Sequence, residues 1–186
     1  MPFIKTNFDG LFIFEPKVFE DSRGYFFESY NESLAKAEGI QINFVQDNQA
    51  RSSYGVVRGL HYQLAPYAQT KLIRVLSGSI LDVVVDIRKG SPTYGKVFAI
   101  ELNDANKHQL LIPKGFAHGY SVLSETAEVF YKCDAFWNKE SEGGISLTDS
   151  RLNIDWRIPT DKMIISDKDL LYPDIENCVN NFEYGK

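Results

Sequence analysis

Short runs rich in β-branched and aromatic residues recur along this chain, at positions 11–19, 24–30, 45–48, 56–63, 71–76, 80–87, 97–102, 109–112, 119–123 and 127–132. Such runs suit the pleated, half-buried surface of a sheet. Turn signals separate them, among them Ser77-Gly78-Ser79, Lys89-Gly90-Ser91-Pro92 and Glu142-Gly143-Gly144, so the spacing predicts a sandwich or barrel of short strands. One helix is predicted over 32–38. Asn31 can cap its free amides, and Gly39 stands where a left-handed C-terminal residue is cheap. A second short helical turn is predicted over 168–171.

No repeat, low-complexity tract or Pro/Gly/Ser linker divides the 186 residues, which predicts one domain with one ample core. With 44% hydrophobic and 13% aromatic residues, burial can offset chain entropy without disulfides or metals. The net charge of -5 comes from interleaved acids and bases. That pattern argues against a nucleic-acid partner, which needs a broad basic footprint, but leaves single arginines free to hold a small anion. Cys133 and Cys178 stand in no metal-like spacing, and the start Met-Pro-Phe-Ile-Lys lacks a signal-peptide pattern. No run approaches the roughly 20 apolar residues of a membrane span. A reducing cytoplasm without membrane insertion is the expectation.

In the run over 80–88, alternation puts Leu81, Val83, Val85 and Ile87 on one face and Ile80, Asp82, Val84, Asp86 and Arg88 on the other. One face is expected in the core. The other is expected to be polar, meeting either water or a barrel interior, and the His-bearing strand just upstream favours the interior.

Chemistry concentrates in three islands, Arg58-Gly59-Leu60-His61-Tyr62-Gln63, Pro113-Lys114-Gly115-Phe116-Ala117-His118-Gly119 and Tyr131-Lys132. They hold two of the three histidines, and neutral imidazole is well suited to taking protons near pH 7. A carboxylate bonded to His61 would set its tautomer, and Asp82, Asp86 and Asp169 are the candidates. His118 closes a Pro-x-Gly-x-x-His pattern that resembles the second motif of the cupin superfamily, whose barrel often holds a metal. The first cupin motif usually supplies His-x-His, whereas here it reads His61-Tyr62-Gln63. A divalent ion commonly wants at least three His or carboxylate ligands, so no metal is expected. The islands over 21–29 and 46–52 mix aromatics, amides and charge as a sugar-nucleotide site would. Arg23, Arg58 and Lys71 are candidates to hold a diphosphate or polarise an oxyanion, while Tyr131 either donates a proton or merely packs.

Taken in order, these islands with Arg23-Gly24-Tyr25-Phe26-Phe27-Glu28, Gln46-Asp47-Asn48, Lys71 and Ser166-Asp167-Lys168-Asp169 closely resemble the dTDP-4-dehydrorhamnose 3,5-epimerase family, from about residue 3 to beyond residue 170. The resemblance implies a mainly β fold, a double-stranded β-helix (cupin jelly roll) with a few short helices. Its barrel would span roughly 40–140, with N- and C-terminal extensions packed on it. It implies a cofactor-independent isomerase that converts dTDP-4-dehydro-6-deoxy-D-glucose to dTDP-4-dehydro-L-rhamnose. It gives His61 the role of base, Asp169 that of its orienting carboxylate with Asp82 as a second support, Tyr131 that of proton donor, and Lys71 that of stabilising the C4 oxyanion. Substrate binding falls to Arg23, Glu28, Gln46, Asp47, Asn48, Arg58, His118, Trp137, Glu142 and Lys168. Phe136-Trp137 stands where the family commonly has two tyrosines, the second stacking on thymine. Trp137 keeps a stacking face but loses the hydroxyl, which leaves thymine against uracil open. A homodimer is implied, with the strand over 11–14 a candidate to extend a neighbour's sheet. Arg58 and His61 are three positions apart and would face opposite ways on a regular strand, so a bulge is predicted at Gly59. Three rivals stay open: an epimerase inverting only C3 or only C5, a non-catalytic sugar-nucleotide binder, and a metal-dependent cupin.

Overall fold

Proline sets the first break in the extended runs. The computed structural model describes residues 2–185, and the run expected over 11–19 divides around Pro16 into two strands, because proline removes a ladder donor. In chain order the N-terminal elements are β1 (Phe3–Lys5), β2 (Phe12–Phe14), β3 (Phe19–Asp21), β4 (Gly24–Phe26) and helix α1 (Glu32–Ala37). Then follow β5 (Gln46–Ser53), β6 (Val57–Gln63), β7 (Lys71–Ser77), β8 (Ser79–Asp86), β9 (Val97–Asn103), β10 (Gln109–Ile112), β11 (Phe116–Val122) and β12 (Thr126–Cys133). A short β13 (Glu142–Gly144), at a site expected to be only a turn, and helix α2 (Asp167–Leu170) complete them. Asn31 caps α1, its Oδ1 accepting from the Ser33 and Leu34 amides at 3.0 and 3.2 Å, and Gly39 follows with φ +78°.

Two antiparallel sheets face each other, ordered β1-β2-β10-β7-β12-β5 and β13-β6-β11-β8-β9, while β3 and β4 form a separate hairpin. This is the mainly β cupin architecture. Ile73, Val75, Leu110, Ile112 and Val129 of the first sheet pack between the sheets on Ile80, Val84, Phe116 and Val122 of the second. A second core lies outside, where Leu81, Val83, Val85 and Ile87 meet Ile145, Leu147, Trp156 and Phe182 of the C-terminal segment. A third joins Phe14, Leu72 and Leu111 to Ala35 of α1.

Strand β8 sets Leu81, Val83, Val85 and Ile87 in an outer core and turns its other face, with Asp82, into the interior. Both faces are buried, because the C-terminal segment covers the outer one and the opposite sheet covers the inner one. Strand β2 is likewise paired on both sides, by β1 and β10, so the strand over 11–14 has no free edge to offer a neighbour. The free edge beside it is β1.

Strand β6 carries an extra residue opposite β11. His61 pairs with His118 and Arg58 with Tyr120, so three steps on one strand match two on the other. Gly59 absorbs the difference with φ +138°. A Cβ there would stand 2.6 Å from the Gly119 Cα, so only glycine fits. Leu60 and Tyr62 thereby turn to the outer core, while Arg58 and His61 both reach the interior.

Candidate active site

Arg58, His61, Lys71, His118, Tyr120 and Tyr131, with Ala50 and Gly119, line an interior cavity of about 170 Å³. These side chains come from β5, β6, β7, β11 and β12, and thus from both sheets. Strand alternation aims them inward, with the bulge at Gly59 bringing Arg58 and His61 of β6 to the same side. Tyr131 pairs with Asn48 on one side and Ile73 on the other, and directly opposed residues share a face.

Asp169 reaches His61 from α2, with Oδ1 at 2.7 Å from Nε2. The Gly59 amide donates to its Oδ2 at 3.4 Å, and the Asp169 amide donates to the Ser166 hydroxyl at 3.2 Å. Burial works against ionisation of Asp169, but His61, the Gly59 amide and Ser166 outweigh it and hold the carboxyl below the usual range. An ionised Asp169 accepts the Nε2 proton of a neutral His61 and leaves the lone pair on Nδ1.

Across the cavity, Tyr131 has its pKa pushed up to about 12, first by burial and then by Cys133 and Tyr120, with Arg58 opposing. The phenol therefore holds its proton at neutral pH. Lys71 lies with its Nζ 6.0 Å from the Tyr131 ring centroid. Burial lowers the Lys71 pKa against the pull of Cys133, Asp82 and Glu142. The Arg58 guanidinium is held by the Ser52 hydroxyl, at 3.3 Å from Nε and 3.2 Å from Nη2.

Two of the three carboxylates considered for His61 serve elsewhere. Asp82, completely buried, lies 2.5 Å from the Nε2 of His118 and orients that imidazole instead. The reason is register, since Asp82 pairs with Tyr120, two positions along β11 from His118 and on the same face. Asp86 stands at the far end of β8. There it takes Arg88 at 2.8 and 2.9 Å and the hydroxyls of Ser91 and Thr93 at 2.6 Å, pinning the following turn.

The expected binding residues divide into three groups. Arg58 and His118 line the cavity, and Gln46 and Asn48 share its face of β5, linked at 3.0 Å. Nearby, Trp137 presents an exposed ring while its amide donates to the Gln46 Oε1 at 3.1 Å. Glu142 and Lys168 form an ion pair beside His61, since β13 pairs with β6. The remaining three lie apart. Asp47 turns to the outer face of β5 and binds Lys132 at 3.0 Å. Arg23 sits exposed at the tip of the β3–β4 hairpin, chelating Asp21, and Glu28 accepts from Asn31 at 3.0 Å on a separate surface groove.

Gln63 explains its own departure from the cupin histidine. Its Nε2 donates to the carbonyls of Tyr67 and Phe136, and its Oε1 accepts from the Asn138 amide at 2.7 Å. The side chain thus holds the loop that presents Trp137. Sequence reasoning passed over Tyr120 and Ser52. Alternation from His118 and Asn48 would have put both on the inner face.

The family model for dTDP-4-dehydrorhamnose 3,5-epimerase matches residues 5–177. The chain belongs to the dTDP-4-dehydrorhamnose 3,5-epimerase family. A curated member from Shigella flexneri is 52% identical over 171 residues, covering 91% of this chain and 93% of that one. A solved family structure from Elizabethkingia anophelis NUHP1 superposes with a TM-score of 0.90 at 51% identity, covering 94% of this chain and 96% of the other. Another, from Legionella pneumophila Philadelphia 1 in complex with dTDP-4-keto-L-rhamnose, gives 0.89 at 45% identity, covering 94% and 93%. As a member of this epimerase family the chain is an isomerase.

Proposed function

We propose that this chain inverts C3 and C5 of dTDP-4-dehydro-6-deoxy-D-glucose to give dTDP-4-dehydro-L-rhamnose, with no cofactor. One observation carries the roles: a base and an acid from opposite sheets, His61 on β6 and Tyr131 on β12, face the same cavity. A ketone acidifies the carbon-bound protons on either side of it, provided the enolate is stabilised. His61, oriented by Asp169, takes the proton from carbon, and the bonding electrons move onto the C4 oxygen. Lys71 holds that oxyanion. Tyr131 then delivers a proton to the opposite ring face as the ketone re-forms, and exchange with water resets both groups. The same cycle serves the second carbon.

Arg58, His118, Gln46, Asn48, Glu142 and Lys168 are the binding groups on this reading, and Trp137 is the stacking platform for the base. Arg23 and Glu28 stand away from their own cavity, and Phe19, Tyr25 and Phe26 of the same hairpin region are exposed. These facts support a homodimer in which the hairpin region serves the neighbouring subunit. Two free thiols, Cys133 and Cys178, fit a reducing cytoplasm.

The test is turnover of the presumed substrate in deuterated water with the product read by NMR. Deuterium at both C3 and C5 is expected. Label at a single carbon would make the chain a one-centre epimerase, and no label would leave a non-catalytic binder.

A further inference from the structure

Helix α2 carries the carboxylate that orients the base, yet it is only four residues long. A helix this short does not hold itself together in water and takes its position from docking. Ser166 caps its start, and Lys168 pairs with Glu142 at the surface. Leu170 and Leu171 add little packing, being 59% and 83% exposed. From residue 167 to 172 this leaves two side chains that turn inward. One is Asp169. The other is Tyr172.

The Tyr172 ring meets the His61 imidazole at 5.6 Å between centroids and 64° between planes, an edge-to-face contact. It also covers Gly144, the cross-strand partner of His61. A Cβ on Gly144 would lie 2.5 Å from ring carbons of Tyr172. The hydroxyl stands 3.5 Å from Glu142 Oε1, and the chain just beyond is fixed by the Ser146 amide donating to the Pro173 carbonyl at 2.7 Å. One aromatic ring therefore bears on the imidazole while belonging to the segment that bears its carboxylate.

We propose that Tyr172 is a positioning residue for the His61–Asp169 pair, its ring fixing the plane of the imidazole and docking α2 so that the two stay bonded. This rests on the epimerase reading for its kinetic consequence only. The ring, not the hydroxyl, does the work, since it is the ring that touches His61.

Three variants test it. Tyr172→Phe keeps the ring and should hold kcat and KM within about twofold of the parent. Tyr172→Ala should lower kcat about tenfold with KM within about twofold, because orientation of a base acts on the chemical step rather than on binding. Gly144→Ala should displace the ring and lower kcat, yet add little in the Tyr172→Ala background, the coupling expected of two residues in contact. Proton NMR reads the pair directly. The downfield signal of the His61 Nε2 proton should persist in the parent and in Tyr172→Phe and vanish in Tyr172→Ala. Parent-like kcat together with a retained signal in Tyr172→Ala would overturn the proposal, as would a Tyr172→Phe loss equal to that of Ala. If Tyr172→Ala does not fold, Gly144→Ala with unchanged kcat overturns it. A parent enzyme that exchanges no deuterium would instead remove the epimerase reading and leave the NMR test standing.

Discussion

His61 and His118 are cross-strand partners on β6 and β11, yet each imidazole is bonded through Nε2 to a different carboxylate, Asp169 at 2.7 Å and Asp82 at 2.5 Å. The difference lies in where those carboxylates come from. Asp82 belongs to the neighbouring strand and is sealed in the barrel, whereas Asp169 arrives from the C-terminal segment at the rim. A rigidly enclosed imidazole suits a binding donor. One at the rim, with a free Nδ1 and an oriented ring, suits proton transfer.

Replacing His61, the base on the proposed reading, separates chemistry from folding. His61→Ala should lower kcat by roughly two orders of magnitude or more, the usual contribution of a general base, while circular dichroism shows the chain still folded. Near-parent turnover would remove His61 from the mechanism.

Asp169 makes stability depend on pH in a stated direction. Its carboxyl is held below the ordinary range in the folded chain, so the unfolded chain binds the proton more readily. The stabilisation is thus complete above the unfolded pKa of about 3.9 and is lost as pH falls through the folded value. Asp169→Asn should abolish that share of the acid dependence of Tm and lower kcat. A melting profile below pH 5 identical to the parent's would contradict the assignment.

Tyr131→Phe removes a proton donor and keeps the ring. Abstraction by His61 should continue, so solvent deuterium should still enter recovered substrate, while the inverted product falls by about a hundredfold. Because the phenol is pushed up to about 12, its ionisation should not limit the parent rate between pH 7 and about 10. If product forms at the parent rate in Tyr131→Phe, the donor is another group.

Runs rich in β-branched and aromatic residues over 71–76, 80–87, 109–112 and 127–132 marked strands that the structure places within a residue or two, because such side chains fill the packed faces of the two sheets. The bulge at Gly59 was legible for a related reason: Arg58 and His61 needed one face, and a glycine stood between them. The covering of β8 was not legible, since the residues that bury its outer face lie in the irregular segment from Ile145 to Phe182. Nor does spacing reveal that Asp169, 108 positions from His61, is its partner and Asp82 is not. That depends on which strand abuts which. Tyr172 carried no signal at all, being one of ten tyrosines with nothing local to distinguish it.

Lys71 sets activity against stability. Burial lowers its pKa despite Cys133, Asp82 and Glu142, so the folded chain holds the ammonium proton less readily than the unfolded chain does. Lys71→Met fills the same space without that charge. Thermal melting at pH 7 should show Tm rising by a few degrees, and kcat should fall by about a hundredfold as the C4 oxyanion loses its partner. A lower Tm would show that Asp82 depends on this cation more than the cation suffers from burial.

Gly59 joins the fold to the site most directly. An alanine there must adopt φ near +138° and bring its Cβ within 2.6 Å of the Gly119 Cα and 3.1 Å of the His118 carbonyl oxygen. The atoms met are all backbone of β11, with no flexible side chain to give way. Gly59→Ala should therefore lose about 3 kcal/mol of stability in urea unfolding, from a disfavoured backbone conformation and forced separation of β6 from β11. The catalytic loss should exceed what the unfolded fraction explains, because β6 can relieve the clash only by shifting its register. That shift would turn either Arg58 or His61 out of the cavity and move the Gly59 amide away from Asp169. Stability within about 1 kcal/mol of the parent, with unchanged turnover, would mean that both side chains reach the interior without the extra residue.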